Sequence, residues 1–442
     1  MEDAYIINGG KPLHGQIKLS GAKNVALKVI IASLMVEGGA VLHNIPRIND
    51  VFELLNLIKA LGGRAEFDKE KNTVVIDGDN INKNEVDLLF ASKIRVSFML
   101  FAPLLKKFGR CRIPNPGGCR IGARPIDRIV DGMKALGVAV RYEHDTGYYQ
   151  AEMKGKPQGK FIFGKPSHTG TELLILMSIF GEGTILLENC AREPEIKDMI
   201  DFLNTSGAKI KQNGAVIEIT GVATLHRSQP FAITADRNEA VTYASLAIAT
   251  KGEAIISSIP EKMIDSFIVH LQAANGGYEK INDTTFRFFY KGELKATNIE
   301  TEPHPGFMTD WQPNWAVLMT QAKGISLITE RVFENRFSYV EELRKLGAEI
   351  EFIKPPVSNP AEYFFFNFDP VKKYNQAIKI KGPVKLHGGA LTIADLRAGA
   401  TLAIGALMAE GESVVNGASI LERGYENFDE KVRSLGGNIV KI

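Results

Sequence analysis

Apolar positions along this chain fall into blocks that recur. Six times a stretch apolar enough for a buried helix ends at a glycine and passes into a β-rich run; the glycines are Gly38, Gly109, Gly183, Gly252, Gly324 and Gly411. About two dozen residues after each, an amphipathic helix closes in Leu-Gly-Gly or a variant before another short strand, over 57–63, 133–138, 203–208, 271–277, 343–348 and 432–437. The closing glycine suits the left-handed position that ends a helix at little steric cost. Each repeat therefore reads helix, strand, helix, strand, with further strand before the next, at a period of about 70 residues. One repeat cannot cover its own apolar helices. Three packed about a pseudo-threefold axis can, and six give two such globules.

The start of the first helix is polar or charged in all six copies: 20–24, 91–95, 166–170, 235–239, 309–310 and 394–397. Ser, Thr and Asp there are ordinary N-caps. Lys23, Arg95, Arg237 and Arg397 are not, because a cation at a helix N-terminus opposes the macrodipole. A bound anion, held jointly by the cation and the free N–H groups, would account for them.

Composition narrows this picture. A chain of 442 residues has room for two or three domains, and 45% apolar with 24% charged residues is ordinary for a globular protein. A net charge of +2 supplies no basic field for nucleic acid. The three cysteines, Cys111, Cys119 and Cys190, form no Cys-x-x-Cys pair and no zinc-ligand spacing, so no metal is expected, and their low, odd count fits a reducing compartment. The start of the chain lacks a basic region followed by an apolar run, and the longest apolar stretches, such as 26–36, are too short to span a bilayer. The expectation is a cytoplasmic protein.

One segment stands apart. Residues 114–127, Pro-Asn-Pro-Gly-Gly-Cys-Arg-Ile-Gly-Ala-Arg-Pro-Ile-Asp, hold three prolines and three glycines. That excludes a helix or an interior strand and leaves an ordered loop. It carries the thiol of Cys119 with Arg120 beside it and Arg124 close by; guanidinium charge lowers a thiol's pKa and attracts anions. Cys111 and Cys190 belong to no such setting and read as structural.

With these residues in view, the sequence resembles the enolpyruvyl transferases. The resemblance spans essentially the whole chain and is carried, in order, by Leu-Ser-Gly-Ala-Lys-Asn (19–24), Pro-Gly-Gly-Cys-Arg-Ile-Gly-Ala-Arg-Pro-Ile-Asp (116–127), Ala-Arg-Glu-Pro-Glu-Ile (191–196), His-Pro-Gly-Phe-Met-Thr-Asp (304–310), Val-Phe-Glu-Asn-Arg-Phe (332–337), Ala-Asp-Leu-Arg-Ala (394–398) and Glu-Arg-Gly-Tyr-Glu (422–426). It implies a two-domain, inside-out α/β barrel fold, each domain built of three βαβαββ-like repeats. The first domain would be residues 22–234, and the second 1–21 with 235–442. The members it is most similar to move the enolpyruvyl group of phosphoenolpyruvate to the 3-hydroxyl of UDP-N-acetylglucosamine, with loss of phosphate, in peptidoglycan biosynthesis. No cofactor is implied, and the partners are the two small-molecule substrates, with the enzyme a monomer or weak homo-oligomer.

The same resemblance assigns residues. Cys119 would be the general acid, also open to covalent attack by epoxide inhibitors such as fosfomycin. Asp310 would accept the sugar-hydroxyl proton. Lys23, Arg124, Arg397 and Arg423 would bind phosphoenolpyruvate, with Lys23 and Arg397 also catalytic. Arg95 and Asp395 match active-site positions, Asp395 partly by orienting neighbouring arginines. Asn24, Asp127, Lys165, Ser167, Val332 and Arg336 would contact or frame the nucleotide sugar. The chain departs from the family pattern at Arg128-Ile129, where the uracil would lie, and at Val241. It departs again at Ser167-His168-Thr169-Gly170, where His168 reads as a solvated loop residue. Trp311 and Trp315 are unusual neighbours for Asp310, and 355–366 reads as an inserted hairpin or loop. A different nucleotide or nucleotide-sugar acceptor, or a catalytically silent paralogue, stay open as alternatives.

Overall fold

The structure, a computed structural model, describes residues 3–118 and 126–442. These form two compact units: residues 21–118 with 126–234, and residues 3–20 with 235–442. The sequence periodicity becomes six helices, one per repeat: α1 (Lys23–Ser33), α2 (Phe101–Phe108), α3 (His168–Ser178), α4 (Arg237–Ala249), α5 (Gln312–Met319) and α6 (Leu396–Met408). All but α2, which exposes Lys106 and Lys107, are buried on nearly every face. All residues of α4 and α5 are buried, as are all but Asn24 of α1 and all but Met408 of α6. A helix apolar all round must sit in a core, and the sheets lie outside it.

Within the second unit, α4, α5 and α6 pack on one another around a buried polar chain. Thr401 Oγ1 donates to Asn314 Oδ1 at 2.8 Å, Asn314 Nδ2 donates to Thr242 Oγ1 at 2.9 Å, and Thr242 Oγ1 meets the Tyr425 hydroxyl at 2.8 Å. Groups buried this deeply cost little only when paired. The pairing fixes the rotation of three otherwise featureless apolar helices. Trp311 and Trp315 belong to the same core, packed with Phe267 and Phe307, so their novelty in sequence is a matter of packing.

Among the described residues the six sheets are variations on one plan. In five of them a leading strand pairs in parallel with the strand after the core helix. Thus Lys160–Ile162 precedes α3 and pairs with Thr184–Glu188. The second repeat's sheet, Arg110–Pro114 with Val138–Glu143 and Tyr148–Met153, is wholly antiparallel and has only an isolated bridge, Glu85 to Arg112, in that place. Two leading strands are exchanged. β2 (His14–Lys18) runs directly into α1 but pairs with Glu253–Ser257 of the fourth repeat, while Phe231–Ala232 runs into α4 but pairs with Ala40–His43 of the first. β1 (Ala4–Asn8) lies between Glu412–Asn416 and Asn438–Lys441, antiparallel to both, and completes the sixth sheet.

Three local expectations are corrected. In the fourth repeat the left-handed positions are taken by Lys251 and Asn275, not by the adjacent glycines. In the second repeat, 91–95 is not the start of the core helix. It covers the end of the Leu88–Lys93 helix and the first residue of a 3-10 turn, Arg95–Leu100. Extended Ile94 separates the two. Pro103 bears on the next junction, from the 3-10 turn to α2: in a continuous helix its ring would meet the carbonyl four residues back, whereas in the first turn of α2 it is tolerated. Finally, Gly324 does not end α5 but lies within the strand Ala322–Thr329. The segment 355–366 is, as expected, part of a long loop, with one short helix, Pro360–Tyr363, between the paired strands Glu349–Ile353 and Ala377–Gly382.

Candidate functional site

In the second unit the starts of α5 and α6 come together through charge. Asp310 lies just before α5, whose N-cap is Trp311, so the aspartate is not spent as a cap. Its Oδ1 accepts from Arg336 at 2.7 Å, and its Oδ2 faces Arg397 Nε at 3.4 Å. Arg336 also donates to Thr309 Oγ1 at 2.7 Å, and Thr309 in turn donates to Glu330 at 2.8 Å. Arg336 and Arg397 are both buried. Burial works against the Arg336 guanidinium, but Asp310, Asp395 and Glu330 outweigh it and hold its pKa above the ordinary value. Burial works against Arg397 likewise and is outweighed by Tyr425, Asp310 and Asp236. Arg397 stacks over the Tyr425 ring with its guanidinium carbon 5.2 Å from the centroid. Its Nη1 is buried with no hydrogen-bond partner among the described residues. A fixed, buried guanidinium with an unused N–H is poised for an anionic oxygen.

Asp395 caps α6: Oδ1 accepts from the backbone N–H groups of Arg397 and Ala398 at 3.0 and 3.1 Å, and Oδ2 from Ser338 Oγ at 2.7 Å. It therefore sets where Arg397 begins. Val332 donates its N–H to Glu330 Oε1 at 2.8 Å, and Phe333 does the same at 3.0 Å, so the buried Glu330 carboxylate shapes the backbone around Val332. Burial raises the Glu330 pKa. Arg423 lies half-buried in the turn after the Ala418–Leu421 helix.

In the first unit, Lys23 opens α1 and pairs with Asp50 at 2.7 Å, both side chains being almost fully buried. Asn24 is the one residue of α1 that is not buried. Arg95 is half-buried, with its guanidinium carbon 5.8 Å from the Phe98 centroid, and burial lowers its pKa. The run toward Cys119 rests on this corner. A Cβ on Gly117 would collide with the Ser92 carbonyl oxygen, and Gly118, at φ +105°, lies against Arg95, where a Cβ would stand 2.8 Å from Arg95 Cβ. Both glycines are thus required by close approach. Cys119, Arg120 and Arg124 lie outside the described residues.

Asp127 is the exposed first residue of the Asp127–Ala135 helix. Arg128 is half-buried and, together with burial, lowers the Lys165 pKa; Ile129 is in the core. Of the unusual Arg128-Ile129 pair, only the arginine is available to a ligand. Ser167 is the N-cap of α3, its Oγ accepting from Gly170 N–H at 3.3 Å. His168 is therefore the first residue of a helix, not a solvated loop residue, and its ring meets Glu172 at 3.2 Å. Cys111 and Cys190 are buried free thiols; burial pushes both up, Cys190 to about 12, as inert structural thiols require.

Sequence reasoning brought Asp310, Arg336, Asp395 and Arg397 onto one list without a reason for their contact, and the structure supplies it. It missed Asp50, Glu330 and Ser338, and it read Thr309 only as a helix cap, whereas Thr309 links Arg336 to Glu330. Glu330 sits two residues before the 332–337 motif, and its burial between two Thr hydroxyls and two N–H groups has no local signature. Among the described residues no group of His, Cys, Asp and Glu is arranged to hold a metal, and no helix is long and apolar enough to cross a membrane.

The chain matches the EPSP synthase (3-phosphoshikimate 1-carboxyvinyltransferase) family over residues 7–432. It is 38% identical over 442 residues to UDP-N-acetylglucosamine 1-carboxyvinyltransferase 3 of Caldanaerobacter subterraneus subsp. tengcongensis, covering 100% of this chain and 99% of that one. It is 38% identical over 440 residues to UDP-N-acetylglucosamine 1-carboxyvinyltransferase of Halothermothrix orenii, covering 99% of each. Among solved structures, the enolpyruvyl transferase NikO from Streptomyces tendae superposes with a TM-score of 0.86 at 22% identity, over 100% of this chain and 99% of that one, a likeness of fold. With its length matched almost end to end by this family and by relatives above one-third identity, the chain belongs to the EPSP synthase family of enolpyruvyl transferases.

Proposed function

We propose that this protein transfers the enolpyruvyl group of phosphoenolpyruvate to the 3-hydroxyl of UDP-N-acetylglucosamine and releases phosphate, the first committed step of peptidoglycan biosynthesis. The observation that carries the reading from the structure is the buried Nη1 of Arg397, unpaired among the described residues and held beside Asp310 at the start of α6. The full-length relatives point to the acceptor.

The chemistry follows in two steps. In the addition, a proton goes to the methylene carbon of phosphoenolpyruvate, the sugar oxygen bonds to the adjacent carbon, and the hydroxyl proton leaves to a base. In the elimination, the methyl carbon gives back a proton and the C–O bond to phosphate breaks. Cys119 is the proposed acid and Asp310 the proposed base. Asp310 is committed to two guanidinium groups, so accepting a proton requires those contacts to loosen as substrate binds. Lys23, Arg124, Arg397 and Arg423 are assigned to the carboxylate and phosphate, whose charge cations stabilise electrostatically. Arg95 and Asp395 are assigned supporting places there. Asn24, Asp127, Lys165, Ser167, Val332 and Arg336 are assigned to the acceptor. The enzyme is assigned to the cytoplasm, as a monomer or weak homo-oligomer, on its likeness to the full-length relatives.

The test is phosphate release from phosphoenolpyruvate by the purified protein, with UDP-N-acetylglucosamine, UMP or shikimate 3-phosphate as acceptor. Release with the UDP-sugar alone is expected. Release only with another acceptor redirects the reading to that acceptor. Release with none, by protein shown to be folded, makes the chain a silent paralogue.

A further inference from the structure

Three charged side chains in the first unit meet where the transfer reaction makes no use of them. Glu172, one turn into α3, is fully buried. Its Oε2 lies 3.2 Å from Nζ of Lys28, a buried residue of α1, and its Oε1 lies 3.2 Å from Nε2 of His168, which opens α3. One more carboxylate acts on the imidazole: Glu193, the N-cap residue of the Pro194–Thr205 helix. A carboxylate buried between two cations is expensive to assemble and more expensive to break from one side. An arrangement of this kind fixes whatever is attached to it.

What is attached are two helix starts. α1 begins Lys23-Asn24, and α3 is capped by Ser167, two residues after Lys165. On its other side, α3 is held by the Ala191 N–H, which donates to Thr171 Oγ1 at 3.1 Å. We propose that Glu172 is a positioning residue for the nucleotide-sugar acceptor: by engaging Lys28 and His168 together it fixes the first turn of α3 against α1, and so fixes the spacing of Ser167 and Asn24. The inference rests on the acceptor assignment above.

His168 is the member whose charge changes near neutrality. Burial works against its imidazolium, Glu172 and Glu193 outweigh burial, Lys28 opposes them, and the net pKa is raised. Glu172 is disfavoured by burial but held ionised by Lys28 and His168, its pKa lowered. The tie to His168 is therefore whole below the ordinary histidine pKa and is lost as pH rises through the raised value. Glu172 then keeps Lys28 alone, and acceptor affinity falls while phosphoenolpyruvate affinity does not follow.

Steady-state kinetics of the full chain from about pH 6 to about pH 9 test this, with KM measured separately for UDP-N-acetylglucosamine and phosphoenolpyruvate. In the unmodified protein the acceptor KM should rise about threefold to tenfold through the His168 titration. His168→Gln should remove that step. Glu172→Gln should raise acceptor KM about tenfold with kcat changed less than about twofold, a split that general loss of structure would not give. Should Glu172→Gln fold poorly, His168→Gln decides, because its partly exposed side chain can be exchanged without burying a new charge. An acceptor KM that stays flat with pH in the unmodified protein, or a step that survives in His168→Gln, overturns the proposal while the transferase reading stands. An unmodified protein with no turnover of the UDP-sugar overturns both.

Discussion

At the scale of single residues, charge pairing across long stretches of sequence decides what each group can do. Arg397 is the clearest case. Its Nε is directed at Asp310, its plane lies on Tyr425, and its Nη1 remains for a ligand. A lysine would keep the charge but could not satisfy the planar contacts. Arg397→Lys is therefore expected to lower kcat/KM for phosphoenolpyruvate by roughly 100-fold, the worth of about 2–3 kcal/mol of lost charge-assisted hydrogen bonding. The thermal midpoint should move only a few degrees, and the two readings together separate binding loss from unfolding. Arg397 was legible in the sequence because an arginine at a helix start needs a reason. Its partners were not, since Asp310 and Arg336 lie many residues away with no shared motif. His168 was misread for the opposite reason: Ser167 is an ordinary cap, but nothing nearby told that Glu172, a turn further in, would be buried and would draw the imidazole toward it.

At the scale of elements, the repeated helices were legible because their boundaries are local. The left-handed residue that ends the second, amphipathic helix of each repeat is a glycine in five repeats and Asn275 in the fourth, a substitution that steric reasoning permits. Tertiary context was less legible, and Asp198 shows its effect. It lies on the Pro194–Thr205 helix and accepts a hydrogen bond from Thr234 Oγ1, close to where the chain leaves the first unit. Burial raises its pKa to about 6, against the partial opposition of that hydrogen bond. The folded state thus holds this proton more tightly than the unfolded chain. Stability is fullest below the unfolded-state value and declines as pH rises through about 6. Asp198→Asn keeps an acceptor for Thr234 and removes the charge. It should be more stable than the parent by roughly 1–2 kcal/mol at pH 8, with the difference vanishing near pH 4, as read by urea denaturation at the two pH values. The same or a larger advantage at pH 4 would show that Asp198 is not the group responsible.

At the scale of the whole molecule, the exchanged strands matter most, and they were the least visible. Phe231–Ala232 is too short to carry an alternating pattern, and the pairing of β2 is chosen by a partner more than 200 residues away. Residues 21–234 contain every strand of the sheets they build, including Phe231–Ala232. Residues 235–442 do not, since two of their sheets need β1 and β2. Expressed alone, 21–234 should unfold cooperatively, whereas 235–442 should be soluble and protease-resistant only when residues 1–20 are joined to it. Cooperative folding of 235–442 without them would contradict this account of its sheets. The position of β1 also has a consequence in time. Its buried Tyr5 and Ile7 are made long before their partners, since Tyr5 pairs with Val415 on one side and Lys441 on the other. At ordinary synthesis rates that wait is on the order of tens of seconds, spent as an apolar strand with both edges open. The second unit cannot finish until Asn438–Lys441 arrives. For that interval the nascent chain depends on whatever keeps its beginning from pairing with a neighbour.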